Sequence, residues 1–534
     1  MITTPADRLL AFVDRRRHLL FALLALALLL TFNGRWRLGN DSTLYVSLAR
    51  GIASGQGYHS VGWDRANAHF GLPLLIAASF RLLGPGTLWP VIALIFASGL
   101  AALALTYRLL RFRMPRPHAV AATLLVGIAF TFNAYLVELL TDMPGYLGMI
   151  AALTAFEALA QPRLSPKHRA AWLLLLFAGL WLGAIMRPVT WALMLAMLVV
   201  LAWRALRNRT LRKPALLAMA LVAASLALFY LFDPRASHGT EAHEAWLVKV
   251  LLRQPLHTLH LMLTRTLPQI LGPTTVEAAF GLSAGRWLSV PLALLLFGAA
   301  LVAVRHRPLW LLWVLGNLFM NLVYPDPQTR YLLPILPFLA LGFLQLALVL
   351  GRRPRFAASG LTLCLAFWLL PNTFRLAGLI YRQHCSDFLA AIDHGRYVPF
   401  AAMASQLHAH LPPHALIITD DGLTFEAFAP ELHFLMPIND SPPPDLATQL
   451  GPALENHVAY MIDSDQTSTR DLLGPLHLLP GPPLLSVARP AWELPRFPER
   501  WLHPTTPPAL PSLVLRKLTY QLPAPATTQR PSRQ

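Results

Sequence analysis

The sequence predicts an α-helical polytopic membrane protein of about eleven transmembrane helices, with amphipathic helices in two long outer loops and a small C-terminal α/β domain. Three observations carry this expectation. Of 534 residues, 55% are hydrophobic and only 13% are charged, where a soluble domain carries roughly 25% charged residues. The apolar residues fall in runs approaching the roughly 20 that a bilayer core about 30 Å thick demands of a helix. Lys and Arg gather in alternate connections between those runs, as they do in cytoplasmic loops.

The runs lie at 19–33, 89–110, 118–137, 142–160, 170–186, 188–204, 215–232, 288–304, 308–324, 331–350 and 356–373. Pro188 breaks the fifth from the sixth, and charge decides how. The connections 108–116, 163–169, 204–213, 305–307 and 352–355 hold seventeen Lys or Arg and no Asp or Glu. A hairpin at Met186-Arg187-Pro188 puts them all inside, together with Arg15, Arg16 and Arg17, whereas one kinked helix would put several outside. The net charge of +18 therefore follows mostly from topology and affinity for anionic headgroups, and no nucleic-acid partner is needed to explain it. Thr31-Phe32-Asn33-Gly34-Arg35 offers no small-x-small cleavage site, so the first run reads as a retained signal anchor. Cys364 falls inside the last run and Cys385 beyond it, which argues against a disulfide framework.

This topology puts the N-terminus in the cytoplasm and three stretches outside: 34–88, 233–287 and everything after about 381. Leu44, Tyr45, Leu48 and Ile52, then Leu72, Leu75, Ile76 and Phe80, recur at helical spacing and predict surface helices. The segment Trp246 to Arg253 and Leu259 to Leu263 reads the same way, broken by Pro255 and by Gly272-Pro273. The tail alternates proline-rich connections with short strands at Ala415–Thr419 and Ala459–Ile462, after a helix at about 399–410. No glycine-rich phosphate loop follows the first strand, which leaves nucleotide binding without support. The domain reading is a transmembrane domain at 1–380 that includes both loops, a periplasmic α/β domain at 381–520, and a disordered tail at 521–534.

Chemistry is sought on the outer side. Asp41 follows the first run directly, where partial desolvation can raise its pKa and let it take a proton from a hydroxyl. The plainer alternative is that Asp41 caps a helix beginning at Ser42 or Thr43. Asp142 stands at the mouth of the fourth run, four residues after Glu138, close enough to share a face if the helix continues. It too has a capping alternative, ahead of Pro144 in the first turn. Outward basic residues run against the charge rule, so Arg65, His69, Arg187, Lys249, Arg253, Arg265 and Arg330 are candidates for gripping an anion.

The order of Asp41, Tyr45, Ala49, Gly55-Gln56-Gly57-Tyr58 and Pro73-Leu74-Leu75-Ile76-Ala77 resembles bacterial GT-C glycosyltransferases, of the protein O-mannosyltransferase-like and aminoarabinose-transferase-like kinds. Thr141-Asp142-Met143-Pro144, Met186-Arg187-Pro188 and Arg330-Tyr331-Leu332-Leu333-Pro334 match in kind and order over about 370 residues. The resemblance implies a GT-C-like fold and a bacterial cytoplasmic-membrane enzyme that moves a sugar from a polyprenyl-phosphate donor to a glycan, lipid or protein acceptor at the periplasmic face. It implies Asp41 as catalytic base and Asp142 as a second catalytic acid. The acid that often follows the first in this family is here Ser42. Tyr45, Tyr331 and Glu138 become substrate-binding candidates. Arg330, Arg187, His69, Arg65, Lys249 and Arg253 become donor-phosphate candidates; where such relatives usually have Lys, His69 makes that role pH-dependent.

The expected reaction is a single inverting displacement in which Asp41 deprotonates the acceptor while arginines stabilise the departing phosphate. No cofactor is required; a divalent cation beside Asp41 and Asp142 is admitted, although no His-rich or closely spaced carboxylate cluster calls for one. The histidine groups 238/243, 257/260 and 408/410/414 contain no HExxH pattern and fit surface positions. Two other classes remain open, a lipid or solute transporter and a membrane scaffold with a periplasmic interaction domain. Transport sites favour the bilayer midplane within repeats, whereas the unusual polar residues here gather at one boundary.

Overall fold

The computed structural model describes residues 4–520 except 59, 61–67, 162–163, 208–211, 234–251, 325, 353–356, 386–395, 413, 420, 436–451, 457, 465–477 and 488–511. By contacts the chain divides into two units, one of Met1–Arg37 with Asn67–His384 and one of Leu38–Ala66 with Cys385–Gln534. From the sequence, all of 34–88 is expected in the membrane domain. The helix at 40–54 instead belongs to the unit of the tail.

The first unit is helical: α1 (Pro5–Arg15), α2 (Arg17–Leu29), then, beyond α3 (Asn40–Ser54) of the second unit, α4 (Gly71–Leu83), α5 (Trp89–Arg111), α6 (Arg116–Ile128), α7 (Phe130–Leu136), α8 (Asp142–Leu159), α9 (Pro166–Met186), α10 (Thr190–Arg207) and α11 (Arg212–Phe232). Short helical turns from Pro255 to Phe280, two of them π-helical, lead to α12 (Arg286–Val304), α13 (Pro308–Val323), a 3₁₀ turn (Thr329–Ile335), α14 (Leu336–Arg352) and α15 (Ala357–His384).

All eleven predicted runs are helical, but fewer meet the demands of a span. Among the described residues seven helices are long and apolar enough to cross a membrane, or eight if α6 and α7, bent by 58°, form one span. The helices α2 and α13 fall short at 13 and 16 residues, and α8 carries the carboxylates Asp142 and Glu157. At residues 187–189 the chain leaves the helix, so α9 and α10 are two helices, as the hairpin reading expects.

Small residues bring backbones together. A Cβ on Gly148 would stand 2.5 Å from the Gly183 nitrogen, and one on Gly179 2.7 Å from the Gly148 carbonyl, so α8 and α9 touch main chain to main chain. Gly342 of α14 does the same against Ala300 of α12, at 2.4 Å. The bend between α6 and α7 has a defined cause. Asn372 Oδ1 accepts the Phe130 N–H at 2.6 Å, while its Nδ2 donates to the Ala279 and Trp368 carbonyls at 3.1 and 2.8 Å. A side-chain amide thus replaces the helical bond that the break removes. Away from the bend, Arg116 makes a two-pronged ion pair with Asp14 at 2.6 and 2.7 Å.

The second unit holds α3, α16 (Val398–His410), α17 (Gly422–Phe428) and a five-stranded sheet in the order β2-β1-β3-β5-β4. Strand β1 (Leu416–Ile418) is parallel to β2 (His433–Leu435) and β3 (Ala459–Ser464), while β5 (Leu513–Tyr520) is antiparallel to β3 and β4 (Leu478–Val487). The predicted helix and the first two predicted strands are α16, β1 and β3. Phe400, Phe425, Phe434 and Leu515 are central to the core between helices and sheet. The stretch predicted to be disordered, 521–534, lies outside the described residues.

Candidate functional site

In the first unit a charged cluster sits where α8 begins, where α9 ends and in the 3₁₀ turn before α14, opposite the arginine-rich connections; Glu157, also buried, pairs instead with Arg113 of one of those connections. Asp142 is the first residue of α8, with its side chain 2% exposed. It does not cap: Thr141 holds the cap position and makes no side-chain bond there. Its Oδ1 faces Arg187 Nη2 at 3.1 Å, and its Oδ2 lies 4.0 Å from Arg330 Nη1. Arg187 sits where α9 ends, because the extended backbone at 187 and the ring of Pro188 stop the helix. Arg330 is buried in the 3₁₀ turn before α14.

Tyr331 lies beneath both guanidinium groups. The Arg187 and Arg330 carbons are 4.9 and 5.2 Å from its ring centre, and Arg330 Nη2 donates to its hydroxyl at 3.3 Å. Tyr324 meets the Tyr331 ring edge-on at 5.1 Å, and the Tyr135 hydroxyl shares a 3.1 Å hydrogen bond with Thr329. A carboxylate taken out of water is stable only when paired. Here two guanidinium groups share one carboxylate, which leaves one formal positive charge among the three, held by aromatic faces that favour cations. Such a centre can hold a singly charged phosphate with charge-assisted hydrogen bonds.

Glu138 does not share a helix face with Asp142, because α7 ends at Leu136 and residues 137–141 are irregular. It pairs with Arg37 at 3.4 Å. His69 is buried, its ring 6.3 Å from that of Phe229. Arg253 and Arg265 are exposed, and Arg65 and Lys249 lie outside the described residues. Asp41 and Tyr45 belong to the second unit. Gly39, not Asp41, caps α3; Asp41 is half-buried in the first turn, where the helix dipole favours negative charge, and Tyr45 is buried. No group of three or more His, Cys, Asp or Glu among the described residues is placed to hold a metal ion. The Asp142 carboxylate already faces two guanidinium groups, so its setting does not suit a further cation.

Sequence reasoning did not find Arg37, Tyr135, Tyr324 or Thr329. The rule that singled out Arg187 applies equally to Arg37, which directly follows the first apolar run in a stretch that the charge pattern assigns to the outer side. The aromatic residues carry no comparable signal, since Tyr at a membrane boundary is common in any case. A cavity of about 690 Å³ is lined by Gly34, Trp36, Leu83, Gly86, Thr87, Leu88 and Trp89, none of them part of this cluster.

Comparison with known proteins agrees with the architecture. Residues 69–232 match the family model described as dolichyl-phosphate-mannose-protein mannosyltransferase. No curated protein matches the sequence. Among solved structures, ArnT from Cupriavidus metallidurans in the apo state is 16% identical with a TM-score of 0.56, over 94% of this chain and 98% of that one. The same protein bound to undecaprenyl phosphate is 15% identical with a TM-score of 0.53, over 93% and 97% of the two chains. The apo oligosaccharyltransferase of Archaeoglobus fulgidus is 12% identical with a TM-score of 0.53, over 85% of this chain and 70% of that one. The chain is a multi-pass membrane protein with the GT-C fold of membrane glycosyltransferases.

Proposed function

We propose that this protein transfers a sugar from a polyprenyl-phosphate carrier to an acceptor hydroxyl at the periplasmic face of a bacterial cytoplasmic membrane, with inversion at the anomeric carbon. The observation that carries the reading is the pair of guanidinium groups on one buried carboxylate. Arg187 and Arg330 hold the donor phosphate, Asp142 orients them, and Tyr331 supports both. ArnT, whose fold is similar, has been captured with undecaprenyl phosphate, a ligand of the chemistry this centre suits.

In the reaction the acceptor oxygen forms a bond to the anomeric carbon as the bond from that carbon to the phosphate oxygen breaks. Asp41 takes the acceptor proton. The electron pair leaves with the polyprenyl phosphate, whose growing charge the arginines stabilise more strongly than the ground state. His69, Arg65, Lys249 and Arg253 have secondary places along the phosphate path, and Tyr45 and Glu138 along the substrate's. With Asp142 engaged by guanidinium groups, the reading routes no step through a divalent cation.

The test uses full-length protein in lipid nanodiscs with undecaprenyl-phosphate mannose and undecaprenyl-phosphate aminoarabinose as donors, alongside lipid-linked sugars and envelope glycans in cells with and without the gene. Asp41→Asn is expected to lower turnover by about two to four powers of ten, with undecaprenyl phosphate binding retained. Arg330→Gln is expected to weaken that binding by roughly tenfold or more, as loss of a charge-assisted contact does. Near-normal turnover in folded Asp41→Asn removes the base, and unchanged lipid and glycan profiles remove the transferase.

A further inference from the structure

The helix that carries Asp41 is fastened to the C-terminal domain by a part-buried ion pair. Arg50 lies on α3 and Glu426 on α17. Arg50 Nη1 donates to the Glu426 backbone carbonyl at 2.7 Å and stands 3.4 Å from its Oε1, across a sequence separation of 376 residues. One guanidinium nitrogen thus satisfies a last-turn carbonyl of α17 and faces the carboxylate of the same residue. The Ser47 hydroxyl, one turn earlier on α3, donates to that carboxylate.

The other side of α17 is set in the domain core. Phe425 is fully buried, 5.2 Å from the Phe400 ring and 5.7 Å from Phe434, with which it stacks. Consecutive residues of α17 therefore point to different partners, Phe425 into the sheet domain and Glu426 to α3. The Glu426 side chain is 9% exposed, and burial pushes its carboxyl above the usual range against the pull of Ser47 and Arg50. Desolvating a glutamate is costly, and a purely cohesive contact would be served as well by apolar residues. What a directional, hydrogen-bonded pair supplies is a fixed register of one helix on another.

We infer that Arg50 and Glu426 are positioning residues, through which the C-terminal domain sets the place of α3 and so of Asp41 for transfer. The inference rests on the proposed role of Asp41. It assigns the tail a part in catalysis that its fold alone does not suggest, and it makes the pair dispensable for holding the donor.

The test compares full-length wild type with Arg50→Gln, Glu426→Ala and Glu426→Gln. Two quantities are read, backbone hydrogen exchange of residues 44–52 and the kinetics of consuming the two undecaprenyl-phosphate sugars named above. Glu426→Ala and Arg50→Gln are expected to speed exchange in α3 by roughly tenfold, as loss of a local anchoring contact does, with α8 and α9 unchanged. Turnover should fall by about tenfold, equivalent to about 1.4 kcal/mol of barrier, while KM for the donor stays within about twofold. Glu426→Gln, which keeps the volume and the bond to Ser47, should restore most of both. Unchanged exchange in α3 overturns the anchor, and faster exchange with undiminished turnover overturns the positioning role. If Asp41→Asn keeps its activity the base role fails, and if wild type consumes neither donor the transferase reading fails for these sugars, while exchange still decides the anchor.

Discussion

Asp142 shows what one buried carboxylate demands of its surroundings. Its nearer partner is Arg187, 3.1 Å away, and Arg330 stands farther off at 4.0 Å. Removing one member of a buried pair costs about 3–5 kcal/mol because the remaining charge is stranded. Arg187→Gln should therefore lower the thermal midpoint of the detergent-solubilised protein markedly, and Asp142→Asn added to it should recover part of the loss. Strictly additive losses in the cycle would show the two groups to be energetically independent. At this scale the sequence was half legible. The rule against outward arginines found Arg187 and Arg330, because it has a physical cost behind it. It did not show that Glu138 turns to Arg37, since that depends on α7 stopping at Leu136. Nor did it show that Asp41 leaves the cap to Gly39.

Among the elements, the helices were legible and their faces were not. Apolar runs locate a helix whatever it packs against, but glycine decides how closely two helices approach. Gly145 on α8 illustrates the functional consequence, since a Cβ there would stand 2.7 Å from Arg187 Cγ. Gly145→Ala is expected to push Arg187 off Asp142 and to weaken undecaprenyl phosphate binding by roughly tenfold, on the scale of a lost charge-assisted contact. Isothermal titration in nanodiscs reads this directly, and wild-type affinity would refute it. The π-helical turns between Met262 and Thr274 were hidden for a related reason, as their apolar residues keep near-helical spacing. Strand β4 was hidden by Pro480, Pro482 and Pro483, which read as a loop. Proline is tolerated there because β4 forms one edge of the sheet, with register shifts beside Pro480 and Pro483.

For the molecule as a whole, alternation of basic connections predicted which helix ends belong together. The structure puts Asp142, Arg187 and Arg330 at helix ends opposite those connections, and the proposed topology makes that end periplasmic. In a variant lacking Cys364 and Cys385, Ser165→Cys and Arg307→Cys should react with an impermeant maleimide only after the membrane is opened. Gly285→Cys, which has open space around it, should react in intact cells. The reverse pattern would place the charged cluster in the cytoplasm and end the periplasmic reading.

The shared carboxylate also bears on turnover. A sugar-phosphate diester brings one negative charge to a centre carrying one net positive charge, and the two balance. The polyprenyl phosphate left behind is a monoester with a second ionisation near pH 6, so it carries up to one more charge than the donor did. On the proposed reading, a centre balanced for the incoming lipid therefore grips the spent carrier more firmly than the donor, and the spent carrier competes with fresh donor for the same guanidinium groups.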